Sequence, residues 1–531
     1  MFPRGMGSMA SNDRDAHDNQ HAHKLRTVLN IALSAALADG GGCAARRSIR
    51  ARLLGSASGV ALSVASVVVA LGVCVPGAAQ AQTTVNPVQT TTFTLNPTEN
   101  PIIFGPTTNI DTSGTTTNAV DGNAGTAWSV TNNGTLLGGR TGVFFDEAGS
   151  SLTNSKSISG ATSDGVQLFN GGTVVNQVGG TISGLQIGVN ITKNGGAVTN
   201  AGTITAQASG SLGIFLGGGG TVNNQAGGTI SGDSGIFIDT FAGTVTSAGT
   251  ISGSGGPSVI FLGTGTNTLT LQTGSVLNGD ANGSLDSGAT NNLILEGQGA
   301  VSNIFREFHN LDVQASGTWV WNNNSTIGAT TITSGTLAVD GTLGSPVTVN
   351  AGGALAGRGT VNGDVSVAGG GAVAPGAAVP FSNLTVTGNV TFSSGSIYRV
   401  NVNAGGQNDK LSVTGIASLQ GTVNVLAQNG TYAPSTTYTI LSADGGLSVS
   451  GDTFTSVNTN LAFLTPLLSS DANDLFLTLV TNGGGGGGDG GGGTGGGFGF
   501  ATVAQTRNQA AVATSLDGGA VTNPLVIAIL N

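Results

Sequence analysis

The sequence predicts an all-β protein that folds as a right-handed parallel β-helix, a β-solenoid of about 16 turns. Glycine supplies 92 of the 531 residues and only 8% of the residues are charged, whereas about a quarter are charged in ordinary soluble domains. Collagen is excluded because glycine has no three-residue period and there are only 13 prolines. A motif, Val-x-Asn-x-Gly-Thr-Ile, recurs about every 23 residues, and such a repeat indicates stacked coils.

Residues 1–81 are predicted to be an extended signal peptide. A basic segment over 46–52 precedes an apolar run over 53–75, and a small-x-small cleavage site follows. The predicted cleavage residues are Ala79, Ala81 and Gln82, with Gln82 first in the mature chain. The alternative is an uncleaved membrane anchor, because about 20 apolar residues are enough to span a bilayer.

Residues 82–316 are predicted to contain the regular coils. In each repeat a second apolar segment, such as Gly213-Ile-Phe-Leu216, follows the motif, and apolar residues alternate with Thr, Ser and Asn. This alternation places the apolar side chains inward. Asparagine recurs just before a turn, where it tolerates left-handed backbone and can bond to its counterparts in adjacent coils. We therefore predict a structural asparagine ladder of Asn132, Asn154, Asn176, Asn200 and Asn224.

Residues 317–480 carry a second set of motifs. Gly335-Thr-Leu-Ala-Val-Asp-Gly-Thr-Leu343, the glycine-rich segment 347–365 and Val373-Ala-Pro-Gly376 resemble the associated β-strand repeat of bacterial autotransporter passengers. Segment 384–479 is similar to the pertactin-like C-terminal passenger segment, which helps the β-helix to fold during secretion. The resemblance covers about a third of the chain and implies a passenger of type V secretion.

The end of the chain fits the same family. Residues 481–500 are a glycine-rich linker, in which Asp489 gives only one copy of a calcium-binding nonapeptide. Residues 501–531 resemble the start of the translocator linker helix. A translocator barrel needs at least about eight strands of about 9–11 residues, and we expect it to be missing from this polypeptide.

No pattern predicts a catalytic residue, a cofactor or a bound metal. His309 is the one histidine after residue 81 and has no nucleophile-elbow motif near it. The favoured interpretation is an irregular coil in which Phe305, Phe308 and Leu311 pack inward. Two further kinds of residue group could act on or bind a sugar polymer. One is a pair of carboxylates, and the other is a pair of tryptophans on which a sugar ring can stack. The candidates are Asp146 with Glu147, Asp471 with Asp474, and Trp319 with Trp321. We expect turn or surface positions for the first two pairs and core or lip packing for the third.

Charge limits the partners. After residue 81 the chain has eight basic and 22 acidic residues, a net charge of −14, so nucleic acid is not expected to bind. The resemblance implies an exported, monomeric passenger at the cell surface or outer membrane, or in the periplasm without a barrel. It would be held by a translocator barrel not present in this chain and would contact a host-surface protein or glycan, in adhesion or a virulence-type interaction.

The alternative is a secreted β-helix polysaccharide lyase or hydrolase. Such an enzyme would need cations or calcium-binding acids on one face of the solenoid. Residues 194–305 have no Lys or Arg, and their acids are Asp233, Asp239, Asp280, Asp286 and Glu296. The non-enzyme is therefore favoured.

Overall fold

The computed structural model describes residues 82–377, 379–430, 432–433, 435–448, 453–461 and 464–481, together with Ala513. All of them belong to one of the two units into which the chain divides, Gly77–Asn531. The predicted signal peptide, linker and C-terminal helix lie outside the described residues, apart from Thr481 and Ala513. No helix among the described residues is long and apolar enough to cross a membrane.

The first part of the chain forms short strands, with one 3₁₀ turn at Pro97–Glu99 between the third and fourth. These strands are β1 (Thr83–Val85), β2 (Val88–Gln89), β3 (Phe93–Thr94), β4 (Ile102–Phe104), β5 (Asn109–Asp111), β6 (Val120–Gly122), β7 (Ser129–Asn132), β8 (Thr135–Gly138), β9 (Val143–Phe145), β10 (Ser151–Asn154), β11 (Ser157–Gly160), β12 (Asp164–Leu168), β13 (Gly172–Asn176), β14 (Thr181–Gly184) and β15 (Ile187–Ile191). The series continues with β16 (Gly196–Asn200), β17 (Thr203–Ala206), β18 (Leu212–Leu216), β19 (Gly220–Asn224), β20 (Thr229–Gly232), β21 (Ser234–Ile238), β22 (Gly243–Ser247), β23 (Thr250–Gly253), β24 (Val259–Phe261), β25 (Gly265–Leu271), β26 (Val276–Asn278), β27 (Ala281–Asn282), β28 (Ala289–Val301) and β29 (Phe305–Arg306).

The second part contains two long strands near its start, with one short strand between them. Its strands are β30 (Asn310–Trp321), β31 (Asn324–Thr326), β32 (Ala329–Val339), β33 (Thr342–Gly344), β34 (Val347–Val349), β35 (Gly353–Gly357), β36 (Thr360–Val361), β37 (Val365–Val367), β38 (Ala372–Pro375), β39 (Asn383–Val386), β40 (Val390–Phe392), β41 (Ile397–Val402), β42 (Lys410–Val413), β43 (Ala417–Ser418), β44 (Thr422–Ala427), β45 (Thr436–Ala443), β46 (Ser456–Thr459), β47 (Leu464–Ser470) and β48 (Asp474–Thr481).

Each coil from β1 to β27 contributes one strand to each of three parallel sheets, and the coil of β28 and β29 contributes to two of them. Sheet A takes the Val-x-Asn strands (for example β7, β10 and β13), sheet B the Thr-Ile strands (β8, β11 and β14) and sheet C the second apolar segments (β9, β12 and β15). The resulting β-solenoid has about 15 turns, which confirms the predicted all-β class. The motif therefore spans two faces of the coil and the turn between them.

The core consists of inward columns of apolar side chains contributed by all three sheets, with two such columns from sheet C. In sheet B the column runs from Ile110 to Leu277, in register and almost without solvent exposure. Every backbone group of a strand can pair with the coil above or below, so stacking satisfies the polar backbone while it buries the apolar column. In β9, β12, β15, β18 and β21 of sheet C a glycine precedes the first inward residue. A side chain would not fit there, because a Cβ at Gly213 would lie 2.5 Å from the Gly235 carbonyl oxygen.

The path of the chain changes where sheet C ends at β29 and sheet D begins at β31. The first half of β32 pairs with β34 and the second half with β35, so sheet A divides into two branches. Sheet D carries β33, β36, β39, β42 and β45 as its later layers and ends in the strands β48 and β47. Among the described strands, antiparallel pairing occurs only at β45–β48 and β47–β48. This hairpin covers the last parallel coil of sheet D.

Candidate functional site

The five asparagines that the motif singled out lie in one column, at the turn between sheets A and B. The Nδ2 of each donates to the Oδ1 of the next, at 2.8 Å from Asn132 to Asn154 and at 2.9 Å in the three pairs that follow. Asn224 ends the series by donating to the Ser247 hydroxyl at 3.4 Å. All five are fully buried.

The same amides also bind the backbone of the turns. The Nδ2 of Asn176 donates to the carbonyls of Gly180 and Thr203, both at 3.1 Å. The Oδ1 of Asn200 accepts the Gly202 N–H at 3.2 Å. Donors and acceptors are thus used inside the protein, and no ligand can reach them; these amides hold the turns in register.

A second buried column was not anticipated from the sequence. Asn267 donates to Asn291 at 2.9 Å, and Asn291 donates to the carbonyls of Ser284 and Glu307. It lies at the turn between sheets C and A, and both members stand in a Thr-Asn-x-Leu-x-Leu segment. The available signal was the alternation in β25 and β28, which places these asparagines in step with the buried leucines and leaves Asn292 outward.

His309 is exposed and is not part of a triad in the described chain. Its Nδ1 accepts the backbone N–H of Asn291 at 3.0 Å. The neighbouring Phe305, Phe308 and Leu311 are buried, as the sequence predicted. Its ring therefore fastens an irregular turn.

Both tryptophans lie in the core rather than on a sugar-binding surface. Trp319 and Trp321 are at most 1% exposed, and their indole N–H groups donate to the carbonyls of Glu296 and Thr342. The Trp321 ring stacks on Phe305 with ring centroids 5.4 Å apart. Trp319 and Trp321 thus pack in the core of the solenoid at the long strand β30.

The carboxylate pairs are turn residues. Glu147 accepts the Gly125 N–H at 2.6 Å, and Asn170 donates to the Asp146 backbone carbonyl. Asp471 accepts the N–H groups of Asn473 and Asp474, contacts that hold its pKa below the ordinary value. The carboxylates of Glu147 and Asp471 therefore satisfy backbone N–H groups, whereas that of Asp146 accepts the Asn170 amide at 3.4 Å and that of Asp474 accepts the Ser442 hydroxyl.

Two buried carboxyl groups have raised pKa values. Burial raises the pKa of Asp164, although the Asn190 amide donates to it at 2.8 Å. Burial also raises the pKa of Asp409, whose two oxygens accept N–H groups of Phe381, Ser382 and Asn401. Asp409 joins three separate backbone segments and lies in no open cleft.

An open cleft of about 450 Å³ lies at the corner between sheets B and C. The turn over 253–257 is longer than the turn that follows it in the next coil, which has only Gly279 and Asp280 between β26 and β27. The longer turn overhangs the shorter one and leaves space beside it. Arg306, from the coil after that, completes the wall.

The cleft holds one ion pair and one amide. The Asp280 Oδ1 accepts the Ile304 N–H at 3.0 Å, and its Oδ2 lies 3.2 Å from the Arg306 guanidinium. The side chains of Arg306 and Asp280 are 58% and 35% exposed. The Asn282 Oδ1 is buried and accepts no hydrogen bond. Asp280, Asn282 and Arg306 can present donors and acceptors to a polar ligand.

Sequence analysis did not bring these three residues together. Asp280 and Arg306 are 26 positions apart, close to one repeat, and this spacing was the available signal. It was missed because the motif is absent from these coils. Of the other acids of this region, Asp233 lies at the same corner, where its Oδ2 accepts the Gly210 N–H at 3.1 Å and its Oδ1 lies beside Gly255 of the cleft. Asp239 and Asp286 lie at the turns between sheets C and A, and Glu296 lies on strand β28 of sheet A. No group of three or more His, Cys, Asp or Glu side chains suited to a metal ion occurs in the described part of the chain.

A comparison with protein-family models finds no family that matches this chain, and a comparison with curated proteins finds no match either.

Proposed function

We propose that this chain is the exported passenger of an autotransporter, a structural stalk at the cell surface that acts in adhesion or a virulence-type surface interaction. It is anchored through a translocator barrel, works as a monomer without cofactor, and contacts a host-surface protein or glycan. The single observation that carries the proposal is the unbroken parallel pairing from coil to coil, from β1 through β46. Stacked coils hold many outward side chains in fixed rows, which suits contact with an extended surface.

A non-catalytic role is supported by the places that the chemical candidates occupy. The tryptophans are core residues, the carboxylate pairs accept hydrogen bonds from backbone or from neighbouring side chains, and the histidine accepts a backbone N–H. A lyase or hydrolase needs acid and base groups free to meet the substrate. The motifs of residues 317–480 support the autotransporter part of the proposal.

The experiment is a pair of measurements on the bacterium that encodes the chain. Antibodies raised against residues 82–480 should label intact cells, and external protease should remove the label. Deletion of the gene should lower attachment to host cells, and complementation should restore it. Antigen found only in the periplasm, or attachment unchanged by deletion, would contradict the proposal.

A further inference from the structure

We propose that the outward face of sheet C, together with the corner cleft, binds a neutral oligosaccharide. This inference rests on the proposed adhesive function and names the chemical class of its ligand. The site is defined by Phe215, Phe237, Ile260, Asn282 and Arg306, which we call the sheet C strip.

Strand register places the members of the strip in one straight column. Phe215 pairs with Phe237, Phe237 with Ile260, Ile260 with Asn282, and Asn282 with Arg306, each on the next coil. Successive members are therefore about 4.8 Å apart along the solenoid. The rings of Phe215 and Phe237 are in contact, with centroids 5.7 Å apart.

Large apolar side chains at outward positions are not needed for the core. The inward neighbours Ile236 and Ile238 are fully buried, whereas Phe237 between them is only partly buried. At the edge of the same face, Phe241 is 61% and Leu262 is 48% exposed. Partly exposed apolar side chains at consecutive outward positions give a ligand an apolar surface to contact.

The strip changes from apolar to polar along its length, and this order fits a sugar chain. A pyranose ring has apolar C–H faces, which can lie on Phe215, Phe237 and Ile260, and a rim of hydroxyl groups. A hydroxyl can donate to Asp280 or to the unpaired Asn282 amide oxygen after that side chain rotates, and can accept from Arg306. A few convergent polar groups beside apolar surface are typical of ligand sites.

Charge favours a neutral ligand over an acidic one. Arg306 is the only Lys or Arg from residue 194 to 357, and Asp280 already lies 3.2 Å from its guanidinium. The net charge of −14 after residue 81 repels a polyanion. The outward positions of sheet B in the same coils carry hydroxyls instead, for example Thr203, Thr229 and Thr250, and provide a control face.

The experiment measures binding of the purified chain to immobilised cellohexaose, mannohexaose and maltohexaose, with hexagalacturonate as the acidic probe. We expect at least one neutral probe to bind and hexagalacturonate to bind more weakly. Phe237→Ala and Asn282→Ala should each weaken binding by about tenfold. Val276→Ala is the matched control, because Val276 is an exposed apolar residue of sheet B in the coil that contains Asn282, and it should leave binding unchanged.

Three results would overturn the proposal: no neutral probe bound, binding lost equally in Val276→Ala, or full binding by both strip variants. Circular dichroism melting of each variant separates loss of binding from loss of fold. Surface display and gene-dependent attachment without binding to these sugars would refute the sheet C site and leave the adhesive function standing. Sugar binding by a chain that stays in the periplasm would support the sheet C site and refute the adhesive function.

Discussion

The coils before β28 and the segment from β38 to β48 both contain stacked parallel coils, and the second ends in the antiparallel β47–β48 hairpin, yet they are stabilised differently. In the first region the ladder asparagines from Asn132 to Asn200 each donate to the equivalent amide one coil away, 22 or 24 residues along the chain. In the second, Tyr398 donates to the Ile440 carbonyl 42 residues away, and Asp409 joins three segments. The first region is a series of nearest-neighbour contacts, and the second is held by contacts that cross several strands.

An aromatic cluster is the centre of the second region. Phe392, Tyr398 and Phe454 are mutually in contact, with ring centroids between 5.1 and 5.8 Å apart. Where each coil is stabilised only by its neighbours, single coils should unfold locally. Where one aromatic cluster is shared by several strands, the whole segment should unfold as a unit. The comparison thus indicates that repeated coils and the end segment fail in different ways.

The largest expected effect on stability comes from replacing a buried phenylalanine by alanine in each of the two regions, and the comparison of the two variants tests how each region unfolds. Phe392→Ala and Phe261→Ala both remove a fully buried ring and should each cost about 3–5 kcal/mol of local stability. By hydrogen–deuterium exchange, Phe392→Ala should deprotect β38–β48 together. Phe261→Ala should deprotect only the coils next to β24. Equal spread in the two variants would contradict the contrast.

The next largest effect on stability is expected in the asparagine ladder, and it tests whether contacts between adjacent coils stabilise the first region. Asn176→Ala removes an acceptor for Asn154 and a donor to Asn200, Gly180 and Thr203. We expect a loss of about 2–3 kcal/mol, from unpaired buried polar groups. The measurement is the urea dependence of unfolding.

Position within the ladder provides the control. Asn132→Ala lies at its first member and should cost less than Asn176→Ala. The exposed neighbour Asn223 points outward, and Asn223→Ala should change stability by less than about 0.5 kcal/mol. Equal losses of stability for Asn132→Ala and Asn176→Ala would show that the amides act singly and not as a ladder.

The smallest effect concerns Asp164, whose pKa burial raises from the ordinary value of 3.8. The folded state favours the protonated carboxyl, so its contribution to stability is present below that value and is lost as the pH rises through the raised pKa. Asp164→Asn keeps an acceptor for Asn190 and removes the buried charge. The variant should therefore be more stable than the wild type near pH 7 and equal to it below about pH 3.

Asp111 provides a control of opposite sign in the same pH titration of thermal unfolding. Hydrogen bonds from Ser113 lower its pKa, so its stabilising contribution is present above the ordinary value and is lost as the pH falls. Asp111→Asn should lose stability near pH 7. If the stability of Asp164→Asn and Asp111→Asn relative to wild type changed with pH in the same direction, the opposite pKa shifts of Asp164 and Asp111 would be contradicted.

Much of the first region was predictable because its contacts repeat in the sequence. A constant spacing places Ile182 and Ile204 in the same column, since parallel strands pair residues at equal positions of each repeat. The inward packing of Phe305, Phe308 and Leu311 followed from their apolar character. The cleft did not follow, because it arises from the difference in length between two turns that lack the motif.

The sequence by itself determined the β-solenoid class and the candidates for its amide ladder, since both depend on local alternation and a constant repeat. Only the tertiary structure decided that Asp280, Asn282 and Arg306 share a cleft beside the outward phenylalanines. It also decided that Asp409 binds Phe381 and Asn401. Contacts across coils of unequal length depend on how each turn stacks on the next, and no periodic pattern in the chain encodes that geometry.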